Sequence, residues 1–284
     1  MVRTKFRTLL KMHLIFDFDG TITTKDTISS LASAGIAAQK LSRGANLQPA
    51  WDALVQTYLA DYDAYRAQFT PKEAERTAIA QEKLFLGGFK DVEEASLRRV
   101  GEAALFKDLG PAAMRRLGEE AVQNGNVKLR PGFGNIVQAA RERGWPVGVV
   151  SVNWSADFIR GAVGDMLRED DAVIANSTRE ADGTICGPAA LDDELLVCAP
   201  DKLRAMLQLL QASKVVYFGD STTDLECLVE AHRGVVMVDD EGGESSLLRT
   251  LTRLGFEVPH VEENKTIAWA RTFDEVIESG LLSD

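Results

Sequence analysis

Four aspartates lie where two strand-like segments of the sequence end. Asp17 and Asp19 stand at the end of one apolar run, and Asp220 and Asp224 follow another. Because ligands of open parallel sheets bind at the carboxyl ends of the strands, we expect the four carboxylates to converge. Like charges at such short range cannot all ionise without a cation, and Mg²⁺ prefers oxygen ligands. The sequence therefore predicts a Mg²⁺ site at this edge of the sheet.

Three further polar residues are suited to bind an anion at the same edge. Ser151 and Asn153 come at the end of the strand-like segment 145–152 and can donate hydrogen bonds to phosphoryl oxygens beside a helix N-terminus. Lys202, at the start of a predicted helix, supplies a mobile positive charge, and Lys214 is the nearest alternative for that role. Together with the acids, these residues predict a phosphate-binding site.

The elements that position these residues alternate along the chain. Strand-like and helical segments follow one another, which is typical of an α/β fold with a doubly wound parallel sheet. The clearest strand-like segments are residues 13–18, 145–152, 214–220 and 234–238. Helical periodicity fills the long interval after the first strand. We therefore predict a catalytic core of residues 1–24 and 126–284, with an inserted helical domain of residues 25–125.

The inserted block contains one clear amphipathic stripe. Apolar residues recur with the spacing of one helix face at Trp51, Leu54, Val55, Tyr58, Leu59 and Tyr62. We interpret the aromatic residues of this stripe as packing the core of the block rather than forming a cage for a ligand. Thr70, Pro71 and Glu73 have the types and spacing of a helix start, and they predict that another helix begins there.

The two aspartate segments, the serine and the lysine occur in the order of the motifs of a known superfamily. The chain resembles the haloacid dehalogenase superfamily of aspartate-dependent phosphotransferases, and the two aspartate motifs are the specific part of that resemblance. The resemblance implies that Asp17 attacks phosphorus to form an aspartyl phosphate, while Asp19 protonates the leaving oxygen and then activates water. It implies that Mg²⁺ is held by Asp17, Asp19, Asp220 and Asp224. The residues expected to bind phosphate are Gly20, Thr21, Ser151, Asn153 and Lys202.

The position of the helical block resembles the helical C1 cap of phosphoserine-phosphatase-like members. Too few residues separate Ser151 from Lys202 for a second large cap, so we expect one cap only. A closed cap implies a small soluble substrate. Val152 and Asn153 stand where phosphoserine phosphatases have glycines, and Asp26 where they have glutamate, which argues against phosphoserine as the substrate. The loop is more similar to that of relatives acting on sulphur-containing sugar-derived phosphates or phosphocholine-like compounds.

Asp26 can serve in either of two ways. It stands where the resemblance places an acid facing the distal end of the substrate. It also precedes a helical run, as an N-cap residue would. We expect it to contact the substrate, and a capping role can coexist with that contact.

The composition is that of a globular protein of 284 residues with a formal net charge of -11. So acidic a surface repels nucleic acid and anionic lipid, and no apolar run is long enough to cross a bilayer. We therefore predict a cytoplasmic protein, a monomer or homodimer, without nucleic-acid or membrane partners. Residues 227–233 have the C-x5-R spacing of cysteine-dependent phosphatases, but Glu230 lies inside a predicted helix there, which argues against a reactive thiolate.

The resemblance predicts a Mg²⁺-dependent phosphatase that hydrolyses a small soluble phosphomonoester through an aspartyl phosphate. A phosphomutase on the same scaffold is one alternative, because its motifs hardly differ. A dehalogenase needs neither the metal nor the second aspartate, so Asp19 argues against one. A non-catalytic binding or regulatory protein of the same fold is the other alternative, although every motif residue is present.

Overall fold

A parallel β-sheet forms the centre of the computed structural model, which describes residues 12–210, 214–239 and 245–282. Its six strands are β1 Met12–Phe16, β2 Val147–Val150, β3 Ala172–Ile174, β6 Lys214–Gly219, β7 Arg233–Met237 and β8 Ile267–Ala270. They lie in the order β3-β2-β1-β6-β7-β8, all parallel. The winding of the chain reverses between β1 and β6, the place where open α/β sheets bind ligands.

The two central strands, β1 and β6, are packed tightly at their carboxyl ends. All five residues of β1 are buried, as expected for a strand covered on both faces by helices. Phe16 stacks on Phe218 of β6 with ring centroids 4.5 Å apart, and it meets Phe273 edge to face at 5.5 Å. This aromatic cluster fixes the backbone immediately before Asp17.

The part of the chain that the structure describes contains eleven α-helices. Between β1 and β2 lie α1 Ile28–Arg43, α2 Gln48–Gln68, α3 Ile79–Gly87, α4 Lys90–Glu102, α5 Pro111–Gln123 and α6 Phe133–Glu142. After β2 come α7 Ala156–Val163, α8 Ala199–Gln208, α9 Leu225–Glu230, α10 Ser246–Arg253 and α11 Phe273–Glu278. None of the helices in the described ranges is both long and apolar enough to span a membrane.

Helix α5 packs the inserted helices against the helices of the sheet. A Cβ at Gly118 of α5 would overlap the backbone of α7 at Phe158, and a Cβ at Gly161 of α7 would overlap the backbone of α5 at Arg115. Glycine at both positions therefore permits a close helix crossing. The predicted domain boundary after residue 125 thus follows a helix that already packs against α7. Residues 1–11 of the predicted core lie outside the described residues.

The α/β class and the parallel sheet are confirmed, and three details differ from the sequence-based prediction. Strand β8 was not predicted; it has four residues and pairs with β7, and its Trp269 also forms a bridge with His260. A short antiparallel pair, β4 Ser177–Thr178 and β5 Ile185–Cys186, lies between β3 and α8. The helix predicted to begin at Thr70 is wrong: a single turn, Glu73–Glu75, forms there, and α3 begins at Ile79.

Candidate active site

The loop after β1 holds Asp17 and Gly20 against the neighbouring strand. The N–H of Asp17 donates to the carbonyl oxygen of Phe218 over 2.9 Å, so this residue continues the pairing of β1 with β6. Gly20 has a φ of +71°, and a Cβ there would overlap the carboxylate of Asp220. Glycine is therefore required both for the backbone conformation and for the space. The hydroxyl of Thr21, a predicted phosphate ligand, donates to Oδ1 of Asp220 over 3.0 Å.

Lys202 of α8 is fully buried between two aspartates. Its Nζ lies 2.8 Å from Oδ1 of Asp17 and 2.6 Å from Oδ1 of Asp224. Burial opposes the ammonium charge, but the two carboxylates outweigh that cost and raise the pKa of Lys202 above its ordinary value. The lysine therefore stays protonated beside Asp17. The alternative, Lys214, begins β6 and so lies at the end of that strand remote from Asp220.

Asp224 has hydrogen-bond donors on both carboxylate oxygens. Oδ1 accepts from Lys202 and, over 2.7 Å, from the hydroxyl of Tyr217. Oδ2 accepts from the backbone N–H groups of Asp220 and Ser221, each over 3.1 Å. These bonds make Asp224 the residue that positions Lys202. Tyr217 was missed in the sequence, where its one signal is a phenol in the middle of an otherwise apolar strand.

Asp17, Asp220 and Asp224 can each place a carboxylate oxygen within 4.8 Å of the others. Burial, and next the charge of Asp224, raise the pKa of Asp17 well above its usual range despite the opposing effect of Lys202. The same two causes raise the pKa of Asp220 to about 7. The single ammonium group of Lys202 therefore does not neutralise the three carboxylates of this cluster. A set of hard oxygen donors with excess negative charge fits Mg²⁺.

The side chain of Asp19 is fixed on a different side, by the start of α1 and the loop after β2. Its Oδ1 accepts from the N–H and the hydroxyl of Thr27, over 2.8 and 2.6 Å, and its Oδ2 accepts from Nδ2 of Asn153 over 2.8 Å. Burial and then the charge of Asp26 raise the pKa of Asp19 to about 6, against the lowering effect of these hydrogen bonds. The carboxyl group is therefore held in one orientation, with a pKa suited to proton transfer near neutral pH.

Asn153 and Ser151 have partners within the protein that the sequence did not indicate. The amide of Asn153 donates to Asp19 and to the Thr27 hydroxyl, so both of its N–H groups are engaged, whereas the sequence assigned it to phosphate. The hydroxyl of Ser151 accepts the backbone N–H of Asn153 over 3.1 Å. Among the described residues, none accepts the Ser151 hydroxyl proton, although this residue is fully buried.

Arg130 is a buried residue that the sequence analysis missed. Its guanidinium connects the loop after β1 to the segments after β7 and β8. Its N–H groups donate to the carboxylate of Asp239 and to four backbone carbonyl oxygens, which belong to Gly20, Thr21, Val238 and Arg271. Arginine is suited to this task because its five N–H groups have a fixed planar arrangement. No sequence motif marks Arg130, and its contacts lie more than 100 positions away in the chain.

A cavity of about 570 Å³ opens above the aspartates. Its walls include five predicted site residues, Asp17, Asp19, Gly20, Asp26 and Asp220. The other predicted residues, which lie behind this wall, are Thr21, Ser151, Asn153, Lys202 and Asp224, each of them buried. Asp26 accepts the N–H of Ile28 over 2.9 Å and also lines the cavity. The N-cap residue of α1 is Thr27 rather than Asp26, so Asp26 stabilises the turn just before the helix while it also lines the cavity.

The aromatic stripe of α2 faces this cavity. Helix α2 packs on α4 and has no fully buried residue, and its Trp51 and Tyr58 line the cavity. Tyr62 and Trp51 match the predicted packing role, since the ring of Tyr62 stacks on Phe89 at 4.7 Å and Trp51 is partly buried against the hydrophobic core. Trp51 and Tyr58 also line the cavity, so the stripe of α2 packs on protein in part and forms cavity wall in part.

The C-x5-R segment does not form a thiolate site. Cys227 lies fully buried on α9, and burial together with the nearby charge of Asp224 raises the pKa of its thiol. Arg233 begins the next strand, β7. A protonated buried thiol is no nucleophile.

The fold and the site are those of a haloacid dehalogenase-like hydrolase. The sequence model of that family matches residues 14–229, and the chain belongs to the family. A CTO1 family protein of Schizosaccharomyces pombe is 31% identical over 236 residues, covering 76% of this chain and 78% of that protein. Cold tolerance protein 1 of Saccharomyces cerevisiae is 23% identical over 274 residues, covering 86% of this chain and 84% of that protein.

Two solved structures show the same fold. A phosphoserine phosphohydrolase-like protein from Francisella tularensis matches with a TM-score of 0.55 at 16% identity, over 94% of this chain and 98% of that chain. Cytosolic 5'-nucleotidase IIIB bound to cytidine matches with a TM-score of 0.57 at 16% identity, over 96% and 85%. At this level of identity the likeness establishes the fold.

Proposed function

We propose that this protein is a Mg²⁺-dependent phosphatase that hydrolyses a small phosphomonoester through an aspartyl phosphate. The observation that carries the proposal is the position of Asp17, beside the ammonium of Lys202 and the carboxylate of Asp220, at the wall of a cavity of about 570 Å³. Cavities of this size hold small molecules. A carboxylate held next to a buried lysine is suited to attack phosphorus, because the lysine also offsets the charge of the phosphoryl group.

In the first step, a carboxylate oxygen of Asp17 bonds to phosphorus while the bond from phosphorus to the leaving oxygen breaks. Asp19 gives its proton to that oxygen, so the leaving group departs as a neutral alcohol. In the second step, water attacks the phosphorus of the aspartyl phosphate and Asp19 accepts a proton from the water. The bond to Asp17 then breaks and inorganic phosphate is released.

The protein's own groups hold the phosphoryl oxygens during both steps. Lys202 supplies a fixed positive charge beside Asp17, and the free hydroxyl proton of Ser151 supplies a hydrogen bond. Arg130 holds the carbonyl groups of Gly20 and Thr21, and so fixes the loop that carries both catalytic aspartates. Fixed donors stabilise developing charge without a cost of reorganisation at the moment of reaction.

Mg²⁺ would be held by the carboxylates of Asp17 and Asp220 and by the backbone carbonyl of Asp19. The carboxylate of Asp224 would lie close to the ion. When bound, it neutralises the negative charge that accumulates on the phosphoryl oxygens. The excess of carboxylates over cations in the cluster supports this assignment.

Residues 25–125 would act as a cap over the site. Their α2 provides the cavity wall that faces the aspartates, so closure of this helix would exclude water and bring α2 against the leaving group. The substrate would then be a small molecule rather than a protein surface.

Phosphate release from a panel of small phosphate esters, including nitrophenyl phosphate, tests the proposal. We expect release with Mg²⁺, none with EDTA, and inhibition by Ca²⁺, which takes more ligands and can capture both oxygens of Asp17. Asp17→Asn should abolish turnover with the fold intact, while Asp63→Asn, the same change at an exposed position on α2, should leave it unchanged. Activity of Asp17→Asn within tenfold of the parent, or full activity in EDTA, would contradict the mechanism.

A further inference from the structure

The wall of the cavity combines carboxylates with aromatic rings. Glu93 of α4 and Asp26 lie on this wall beside Trp51 and Tyr58 of α2 and Trp154 of the loop after β2. The family motifs assign no role to Glu93, Tyr58, Trp51 or Trp154. These side chains surround the space that the leaving group of a bound phosphate ester would occupy.

The charged side chains on this wall are all acidic. None of the described residues that line the cavity is a lysine, arginine or histidine. Glu93 accepts the hydroxyl of Tyr58 over 2.8 Å, and Asp26 accepts the N–H of Ile28, but within the described part of the chain no cation pairs with either. Burial raises the pKa of both carboxyl groups, and the hydrogen bonds from Tyr58 and Ile28 oppose this effect.

The aromatic rings favour the same kind of ligand as the carboxylates. Trp51 and Trp154 meet edge to face with ring centroids 6.1 Å apart, and the ring of Tyr58 lies 5.9 Å from that of Tyr62. Ring faces attract a cation within about 6 Å, and tryptophan does so most strongly. A wall of indole and phenol rings next to two carboxylates is therefore complementary to an organic cation.

Lys25 and Arg130 line one adjoining cavity, which shares Asp26 with this one. Three further arginines line a second adjoining cavity, which shares Tyr58 and Glu93. They are Arg66, Arg76 and Arg249. Arg76 is paired with Glu82 at 2.7 Å, and Arg66 lies 3.5 Å from Glu73. A substrate with a second anionic group would have to reach one of these two cavities, so an anionic probe is the critical comparison.

We propose that the leaving group of the substrate is an organic cation, an ammonium or a positively charged ring, held by Glu93 and Asp26 against Trp51, Tyr58 and Trp154. This inference rests on the proposed phosphatase function and names the substrate class of the same site. The phosphate end is held by Asp17 and Lys202, and the cationic end lies against the wall formed by α2 and α4.

Binding to the Asp17→Asn variant with Mg²⁺ tests the inference without turnover. The probes are 4-aminobutyl phosphate, the nearly isosteric pentyl phosphate, and 4-carboxybutyl phosphate, measured by calorimetry. We expect the amine to bind at least tenfold more tightly than pentyl phosphate, and the carboxylate to bind most weakly. Equal binding of amine and alkyl probes, or a preference for the carboxylate, would overturn the inference.

Two substitutions then locate the recognition. Glu93→Gln and Asp26→Asn, each added to Asp17→Asn, should reduce the ratio of amine to alkyl affinity several-fold, with melting temperatures confirming the fold. Glu94→Gln is the matched control, because Glu94 is the next residue and does not line the cavity. An unchanged ratio in both test variants would overturn the role of this wall.

The two proposals fail in different ways. If no ester releases phosphate, nitrophenyl phosphate included, the proposed phosphatase function is wrong. A measured preference for the amine probe in the same protein would still support the cation site. Phosphate release from the alkyl and amino esters with equal kcat/KM would retain the phosphatase and overturn the cation site.

Discussion

The side-chain amide of Asn153 donates a hydrogen bond of 2.8 Å to Oδ2 of Asp19. Together with the two bonds from Thr27 to Oδ1, it holds both oxygens of the carboxyl group that would transfer the proton. Asp19, the proposed acid, is thus oriented by two segments that lie far apart in the chain, one before α1 and one after β2. A fixed orientation matters because proton transfer requires a hydrogen-bonded geometry with the leaving oxygen.

Asn153→Ala should reduce the turnover of alkyl phosphates by about tenfold or more, out of the roughly 100- to 10,000-fold that general acid catalysis supplies. Nitrophenyl phosphate should suffer much less, because its leaving group needs no proton. Asn135→Ala is the control, since it removes an amide–carboxylate bond of 2.7 Å, to Asp274, at an exposed position. An equal loss on both substrates would mean that Asn153 does not act through Asp19.

Asp220→Asn should raise the Mg²⁺ concentration for half-maximal activity more than Asp224→Asn does. Asp220 accepts one described side-chain bond, from Thr21, whereas both oxygens of Asp224 already accept several. Asp224→Asn should instead destabilise the fold, by about 3 kcal/mol, because it disrupts a buried charge pair. Mg²⁺ titrations and melting curves of the two variants test this prediction. A higher Mg²⁺ requirement in Asp224→Asn than in Asp220→Asn would refute the assignment of Asp220 as the more direct metal ligand.

Gly20→Ala should abolish activity and lower the melting temperature. The new Cβ would overlap the Asp220 carboxylate, and an alanine with this positive φ adds strain of about 1 to 2 kcal/mol. Gly144→Ala separates the two effects, because Gly144 has a φ of +65° and a Cβ added there would meet no atom within 4 Å. If both variants lose the same stability and both keep activity, the contact with Asp220 is not what requires glycine.

The sequence predicted those parts of the site that have local signatures. Asp17, Asp19 and Asp220 are recognisable because each follows an apolar run, and the parallel order of the strands brings them to one edge. Arg130 and Tyr217 have no such signature, since their roles depend on contacts through space. The stripe on α2 was recognised as helical, but a periodic pattern cannot distinguish a face packed on protein from one that lines a cavity.

The described fold also contains a buried histidine, from which we predict a dependence of stability on pH. His13 lies on β1 with 6% of its surface exposed, and its Nε2 has no hydrogen-bond partner among the described residues. Burial lowers the pKa of His13 below 6.5, against smaller raising effects of the Leu209 backbone and the charge of Asp171. The folded state therefore binds this proton less readily than the unfolded state, which favours unfolding in acid.

The consequence is a loss of stability as the pH falls through about 6.5, the unfolded pKa, towards the lower folded value. Where the unfolded chain is protonated at His13 and the folded chain is not, the free energy of unfolding falls by up to about 1.4 kcal/mol per pH unit. His13→Gln should flatten this slope when the unfolding free energy is measured by urea titration between pH 7.5 and 5.5. His232→Gln should change it much less, because His232 is exposed. If the slope of His13→Gln equals that of the parent, His13 does not control the acid sensitivity of the fold.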